Sequence, residues 1–111
     1  MARLNYVEFP AANLGPTREF YEKAFGFSLT AFGPSYAASI TGDVDIGLQG
    51  DMAEATGAPL PVIQVDDLEA ALASATAAGG KISKPVFSFP GGRRFHVTDP
   101  SGNEVAVMAP D

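Results

Sequence analysis

One order of strands and helix is written twice along this chain of 111 residues. Residues 4–9 are aromatic, apolar or β-branched apart from Asn5 and Glu8, and Pro10 ends the run, which predicts a strand. Asn13 stands at the cap position of the next stretch, where Phe20, Tyr21, Ala24 and Phe25 recur at helical spacing beside Arg18, Glu19, Glu22 and Lys23. Gly26 fits the helix stop. Residues 27–32, 36–41 and 44–49 then read as three strands, separated by Gly33-Pro34 and Gly42-Asp43. The order is βαβββ.

That order begins again at residue 60. Residues 60–65 form an apolar strand in which Pro61 predicts an early or edge position. Asp66 or Asp67 caps a helix that runs through Ala78, with Leu68, Ala71, Leu72 and Ala75 on one face and Gly79-Gly80 at its end. Residues 81–88, 93–98 and 104–108 supply three more strands, and Asp99-Pro100-Ser101-Gly102-Asn103 makes the last hairpin turn. Aligning Asn13-Leu14 with Asp67-Leu68 sets Tyr6 opposite Leu60 without a gap and brings the helix-end glycines into register to within one position. Letter identity between the halves is low, so the duplication lies in the pattern. One α+β domain of two modules follows, residues 1–51 and residues 60–111, joined by a small and flexible linker at residues 52–59.

Composition narrows the partners. The net charge of −6 repels phosphate backbones and anionic membrane surfaces, so neither nucleic acid nor membrane is expected. The start of the chain lacks the basic and then apolar run of a signal peptide, which makes the cytoplasm the expected location. With one histidine and no cysteine, an ordinary zinc site and a Cys-His nucleophile are both out of reach. Gly91-Gly92 precedes a strand rather than a helix, unlike a phosphate loop. The aromatic residues cluster at core spacing on the first helix, which core packing explains better than base stacking.

A duplicated βαβββ order also fits other α+β folds, a ferredoxin-like dimer among them. Three strings point elsewhere: YVEFP at residues 6–10, FYEKAFGF at 20–27 and GGRRFHVTDPSGNEVAV at 91–107. In this register they resemble the glyoxalase/bleomycin-resistance protein/dioxygenase (vicinal oxygen chelate) superfamily over the whole chain. The resemblance implies two cupped mixed sheets around a shared cavity. In metal-dependent members one ligand comes from the first and one from the last strand of each module. Those positions fall here on Tyr6, Gly47, Leu60 and Ala106. Glycine, leucine and alanine side chains have no lone pair to donate, and a neutral tyrosine is a poor ligand for a divalent ion. No metal and no other cofactor is therefore expected, and neither are the isomerisation and ring cleavage that rest on that metal.

The same positions report which side chains point inward, because residues two apart on a strand share a face. Glu8 joins Tyr6, and Gln64 joins Leu60. The resemblance turns His96 inward, and alternation adds Arg94. Tyr6, Glu8, Gln64, Arg94 and His96 are the candidate ligand-binding residues. Each has a plainer reading beside it. His96 can be a satisfied structural histidine, Arg94 a solvent-facing residue with Arg93 inward in its place, Glu8 a charge that merely pairs with Arg94, and Tyr6 cavity wall. Asp45 and Glu104 read as water-exposed rim residues. The leading expectation is a metal-independent small-molecule binding protein, for sequestration of a drug or metabolite, acting as a homodimer. The alternatives are a metal-free isomerase or lyase using Glu8 and His96 as base and acid, a glyoxalase-like enzyme with an atypical site, and a structural dimer with a vestigial cavity.

Overall fold

The computed structural model describes residues 2–111. The elements run β1 (Arg3–Pro10), α1 (Leu14–Phe25), β2 (Thr30–Ala31), β3 (Tyr36–Ala38), β4 (Asp45–Gln49), β5 (Leu60–Gln64), α2 (Leu68–Ala77), β6 (Lys81–Phe89), β7 (Gly92–Thr98) and β8 (Glu104–Pro110). This is the expected βαβββ order, twice. The chain divides into two compact units, Tyr6–Leu60 and Pro61–Asp111 with residues 2–5.

In the Tyr6–Leu60 unit the strands lie in the order β2-β3-β4-β1. β1 runs parallel to β4, with Glu8 opposite Gly47, and β3 runs antiparallel to β4, with Ala38 opposite that same glycine. Alternation then sorts the side chains. Ala37 and Leu48 turn into a core with Ala11 and Leu29, against which Phe9, Leu14, Tyr21, Phe27 and Ile46 pack. Asn13 occupies the N-cap of α1 without a side-chain cap bond, and Gly26 in the left-handed region, φ 74°, ends the helix as expected. Residues 27–29, expected to open β2, instead tie their backbone to α1. The Phe27 N–H reaches Tyr21 O, the Leu29 N–H reaches a Glu22 carboxylate oxygen, and the Leu29 carbonyl accepts from Arg18 Nη2 at 2.6 Å. Only Thr30 and Ala31 remain to pair with β3.

In the other unit the order is β5-β8-β7-β6, with β5 parallel to β8 and the remaining pairs antiparallel. Phe95, Val97 and Val107 bury against Leu68, with Leu72 and Ala75 of α2 around them. The Asp67 carboxylate caps α2 by accepting from the Ala70 N–H at 3.0 Å. The last hairpin is closed by Asp99, whose carboxylate accepts from the backbone of Ser101 and Asn103 and from the Asn103 amide, while Gly102 takes φ 89°. Among the described residues no helix is long and apolar enough to cross a membrane.

Strand β6 breaks the alternation. Ile82 pairs with Val97, Lys84 with His96 and Phe87 with Arg94, so β6 spends extra residues at two points along regular β7. These bulges put Lys84 and Phe87 on one face of the sheet, where strict alternation would separate them. Pro85, with no N–H to give the ladder, lies inside the second irregularity.

Candidate functional site

The face of each sheet that turns away from its helix carries the candidate residues. On β1, β3 and β4 they form a small hydrogen-bonded cluster. The Tyr36 hydroxyl donates to Glu8 Oε1 at 3.0 Å, and the Tyr6 and Tyr36 hydroxyls lie 2.5 Å apart. With the Tyr36 O–H directed at Glu8, Tyr6 is left to donate to the Tyr36 oxygen. Glu8 is buried, 5% exposed. Burial, then the nearby Tyr6 and Glu8, push the Tyr36 phenol far above its ordinary pKa of 10.0, so it stays protonated and donating.

This cluster depends on Gly47. A Cβ built there collides with the hydroxyls of both Tyr6 and Tyr36 and lies 2.8 Å from Tyr6 Cζ. The glycine is a gap that two phenols fill. Tyr36 escaped the sequence reading, although an isolated glycine inside a strand already signals a close approach by a neighbour. Asp45, expected at a wet rim, is buried at 8% exposure. It accepts from Ser39 Oγ, Thr41 Oγ1, Thr41 N–H and Gly42 N–H, which fastens the β3–β4 turn. Burial alone would raise its pKa, but those hydrogen bonds together hold it below the ordinary 3.8.

In the second unit, Val62, Ala106, His96 and Lys84 form one row across β5, β8, β7 and β6, and Gln64, Met108, Arg94 and Phe87 form the next. Arg94 and His96 therefore share a face. Arg93 lies on the opposite one, where its guanidinium meets Glu69 of α2 at 2.9 Å. Gln64 accepts from Asn5 Nδ2 at 2.7 Å through its side-chain carbonyl. The Arg94 guanidinium lies over the rings of Phe87 and Phe89, at 5.2 and 5.5 Å from their centroids.

His96 is enclosed by this arrangement, at 1% exposure. Its Nδ1 lies 3.0 Å from Glu104 Oε2, the oxygen that also accepts from Ser83 Oγ at 3.0 Å. Glu104, a third exposed as its expected rim position implies, is also the partner of the histidine. Burial lowers the His96 pKa below 6.5; the Glu104 hydrogen bond and charge pull it back, Arg94 and Lys84 push it down again, and the lowering prevails. The ring is neutral at neutral pH. With Nδ1–H donated to the carboxylate, Nε2 carries a lone pair, and it has no hydrogen-bond partner among the described residues.

The four usual metal-ligand positions do not fit a metal. Tyr6 is engaged with Tyr36, Gly47 has no room for a side chain, and Leu60 and Ala106 are apolar and buried at 1% and 0% exposure. Among the described residues no group of three or more His, Cys, Asp or Glu could hold an ion. Tyr6 and Glu8 belong to one unit and Gln64, Arg94 and His96 to the other.

Comparison with known proteins agrees with this architecture. No curated protein matches the chain. Among solved structures, a hypothetical protein from Bacillus halodurans C-125 superposes with a TM-score of 0.79 at 14% identity, over 99% of this chain and 95% of that one. A glyoxalase/bleomycin resistance protein/dioxygenase superfamily member from Vibrio splendidus 12B01 gives 0.74 at 15% identity, over 100% of both chains. Methylmalonyl-CoA epimerase from Mycobacterium tuberculosis gives 0.74 at 16%, over 97% of this chain and 87% of that one. At these identities the likeness is one of fold. The sequence profile of the Glyoxalase/Bleomycin resistance protein/Dioxygenase superfamily matches residues 3–107, and the chain belongs to that superfamily, as a member without the usual metal ligands.

Proposed function

We propose that this chain is a metal-independent small-molecule binding protein, and that it holds a polar compound on the His96 face of the β5-β8-β7-β6 sheet. One observation carries the reading: a neutral, buried histidine whose Nε2 acceptor has no partner among the described residues. A buried polar atom left unpaired is costly, and a bound donor relieves that cost. Besides Glu104, the charges acting on His96 are the cations Arg94 and Lys84, and both push its pKa down. This local positive field favours a neutral or anionic compound, against the chain's overall charge of −6. Sequestration of a cationic drug fits this face less well.

A thermal-shift screen of metabolites and drugs on chelator-treated protein tests the reading, since a ligand stabilises by mass action. Compounds that raise the melting temperature of the wild type and not of His96→Gln are expected. Stabilisation that requires a divalent ion, or that survives His96→Gln unchanged, would contradict it.

A metal-free isomerase or lyase is the second reading. The His96–Glu104 pair favours it, because a carboxylate that orients a neutral imidazole leaves the far nitrogen ready to take a proton. Its support comes from His96 and not from Glu8, which Tyr36 already engages in the other unit.

A further inference from the structure

We propose that Glu104 is the positioning residue of this face, and that the face selects hydroxylated carboxylates, molecules that bring an O–H to His96 Nε2 beside an acid group. The inference rests on the binding reading above and adds the ligand class and the residue that sets it.

The geometry begins in β6. The residue between Ile82 and Lys84, where β6 falls out of step with β7, is Ser83. Its hydroxyl donates to Glu104 Oε2 across the sheet at 3.0 Å. The same oxygen lies 3.0 Å from His96 Nδ1. An ionised carboxylate only accepts, so the shared oxygen requires Nδ1–H and leaves Nε2 bare. A bare Nε2 can receive a donor and cannot give one. Carbonyls and ethers gain nothing from it, while an O–H or N–H does. The choice of tautomer is thereby a choice of ligand.

The neighbours supply the rest of the class. The charged groups acting on His96 are Arg94 on its own strand, Lys84 on β6 and Glu104 on β8. Whatever else the Arg94 guanidinium bonds, its charge persists at every relevant pH and its five donors can serve more than one acceptor. The Phe87 ring lies 5.7 Å from the imidazole and the Phe89 ring flanks Arg94, which gives a planar or aryl group apolar walls to lie on. Protonation of His96 converts Nε2 from acceptor to donor, so the discrimination of a hydroxyl from an ether is lost as pH drops below the ordinary histidine range.

Two measurements test this, and they fail separately. With a single histidine in the chain, the ring nitrogens of the full-length protein labelled with ¹⁵N-histidine need no assignment. In the free wild type Nδ1 should carry the proton and Nε2 should show the shift of a bare nitrogen. In Glu104→Gln, whose amide can donate to Nδ1, the signature should move toward Nε2–H, and Glu104→Asp should restore part of the original pattern. A protonated Nε2 in the wild type would overturn the positioning role even if ligands bind. Titration with 3-phenyllactate and 3-phenylpropionate, which differ by one hydroxyl, then reads the ligand class. The wild type should prefer phenyllactate about tenfold, the worth of one such hydrogen bond, over both phenylpropionate and the methyl ether of phenyllactate. Glu104→Gln, whose His96 Nε2–H donates to either oxygen, should reduce the preference for hydroxyl over ether to within about twofold. Equal binding of the two acids, or binding of neither, would overturn the ligand class. A preference for hydroxyl over ether that Glu104→Gln leaves intact would overturn Glu104 as its cause. If the tautomer is as stated and His96→Gln abolishes binding of other compounds, the binding reading stands and only the ligand class falls.

Discussion

Replacing Gly47 by alanine adds one methyl group at the point where two phenol hydroxyls meet. The new Cβ collides with the Tyr6 and Tyr36 oxygens and comes within 2.8 Å of Tyr6 Cζ, so at least one ring must withdraw. Overpacking of this kind costs about 1–3 kcal/mol. Withdrawal of Tyr36 also takes a hydroxyl donor from Glu8, a carboxylate only 5% exposed, and a hydrogen bond to a charged group is worth about 1.5–3 kcal/mol. The lower strand entropy of alanine returns about 0.5–1 kcal/mol. Gly47→Ala should therefore lower the free energy of urea unfolding by about 2–5 kcal/mol. The same substitution made in a Tyr6→Phe/Tyr36→Phe background should cost at least ~1 kcal/mol less, because the oxygens that collide are gone. A Gly47→Ala protein within about 0.5 kcal/mol of wild type, or a cost unchanged in the double-Phe background, would show that the phenols do not fill the place of the missing side chain.

Three further outcomes follow. Asp45→Ala removes the acceptor for four donors at the β3–β4 turn and should cost about 2–4 kcal/mol by urea unfolding, with amide exchange accelerating first at Thr41 and Gly42. Because the folded His96 pKa lies below 6.5, the unfolded chain takes up that proton first; its contribution is full above 6.5 and lost as pH falls through the folded value. Urea midpoints should accordingly decline on the acid side of 6.5 more in the wild type than in His96→Gln, and parallel profiles would refute the lowering. Light scattering at micromolar concentration should give twice the chain mass, and a monomer would count against the homodimer expected from the sequence.

Much of the fold was legible because its punctuation is local. Gly26, Gly33-Pro34, Gly42-Asp43 and the Asp99–Asn103 turn each impose a backbone change that few other residues accept, and Asp67 needs only the adjacent helix to act as a cap. Alternation along β1, β4, β7 and β8 also holds, since those strands pair in unbroken register and keep a period of two. It sets Arg94 and His96 on one face and Arg93 on the other. What stayed hidden was non-local. β6 carries two irregularities, so counting residues cannot tell which way Ser83, Lys84 or Phe87 points. Tyr36 lies 28 residues from Glu8, and its hydroxyl reaches the carboxylate only because β3 and β1 flank β4. Glu104 looked like a strand-end residue until β7 brought His96 to it. The shortness of β2 follows from α1 taking the backbone bonds of residues 27–29, a competition that no local propensity records.

The most direct test of the binding account is the ¹⁵N resonance of His96 Nε2, followed in chelator-treated protein as a stabilising compound from the screen is added. A saturable shift of that one signal is expected, with the same midpoint as the thermal stabilisation and no change when a divalent ion is returned. A compound that stabilises the protein while leaving the Nε2 signal where it was, or that moves it only after the ion is restored, would contradict the claim that this histidine meets the ligand without a metal.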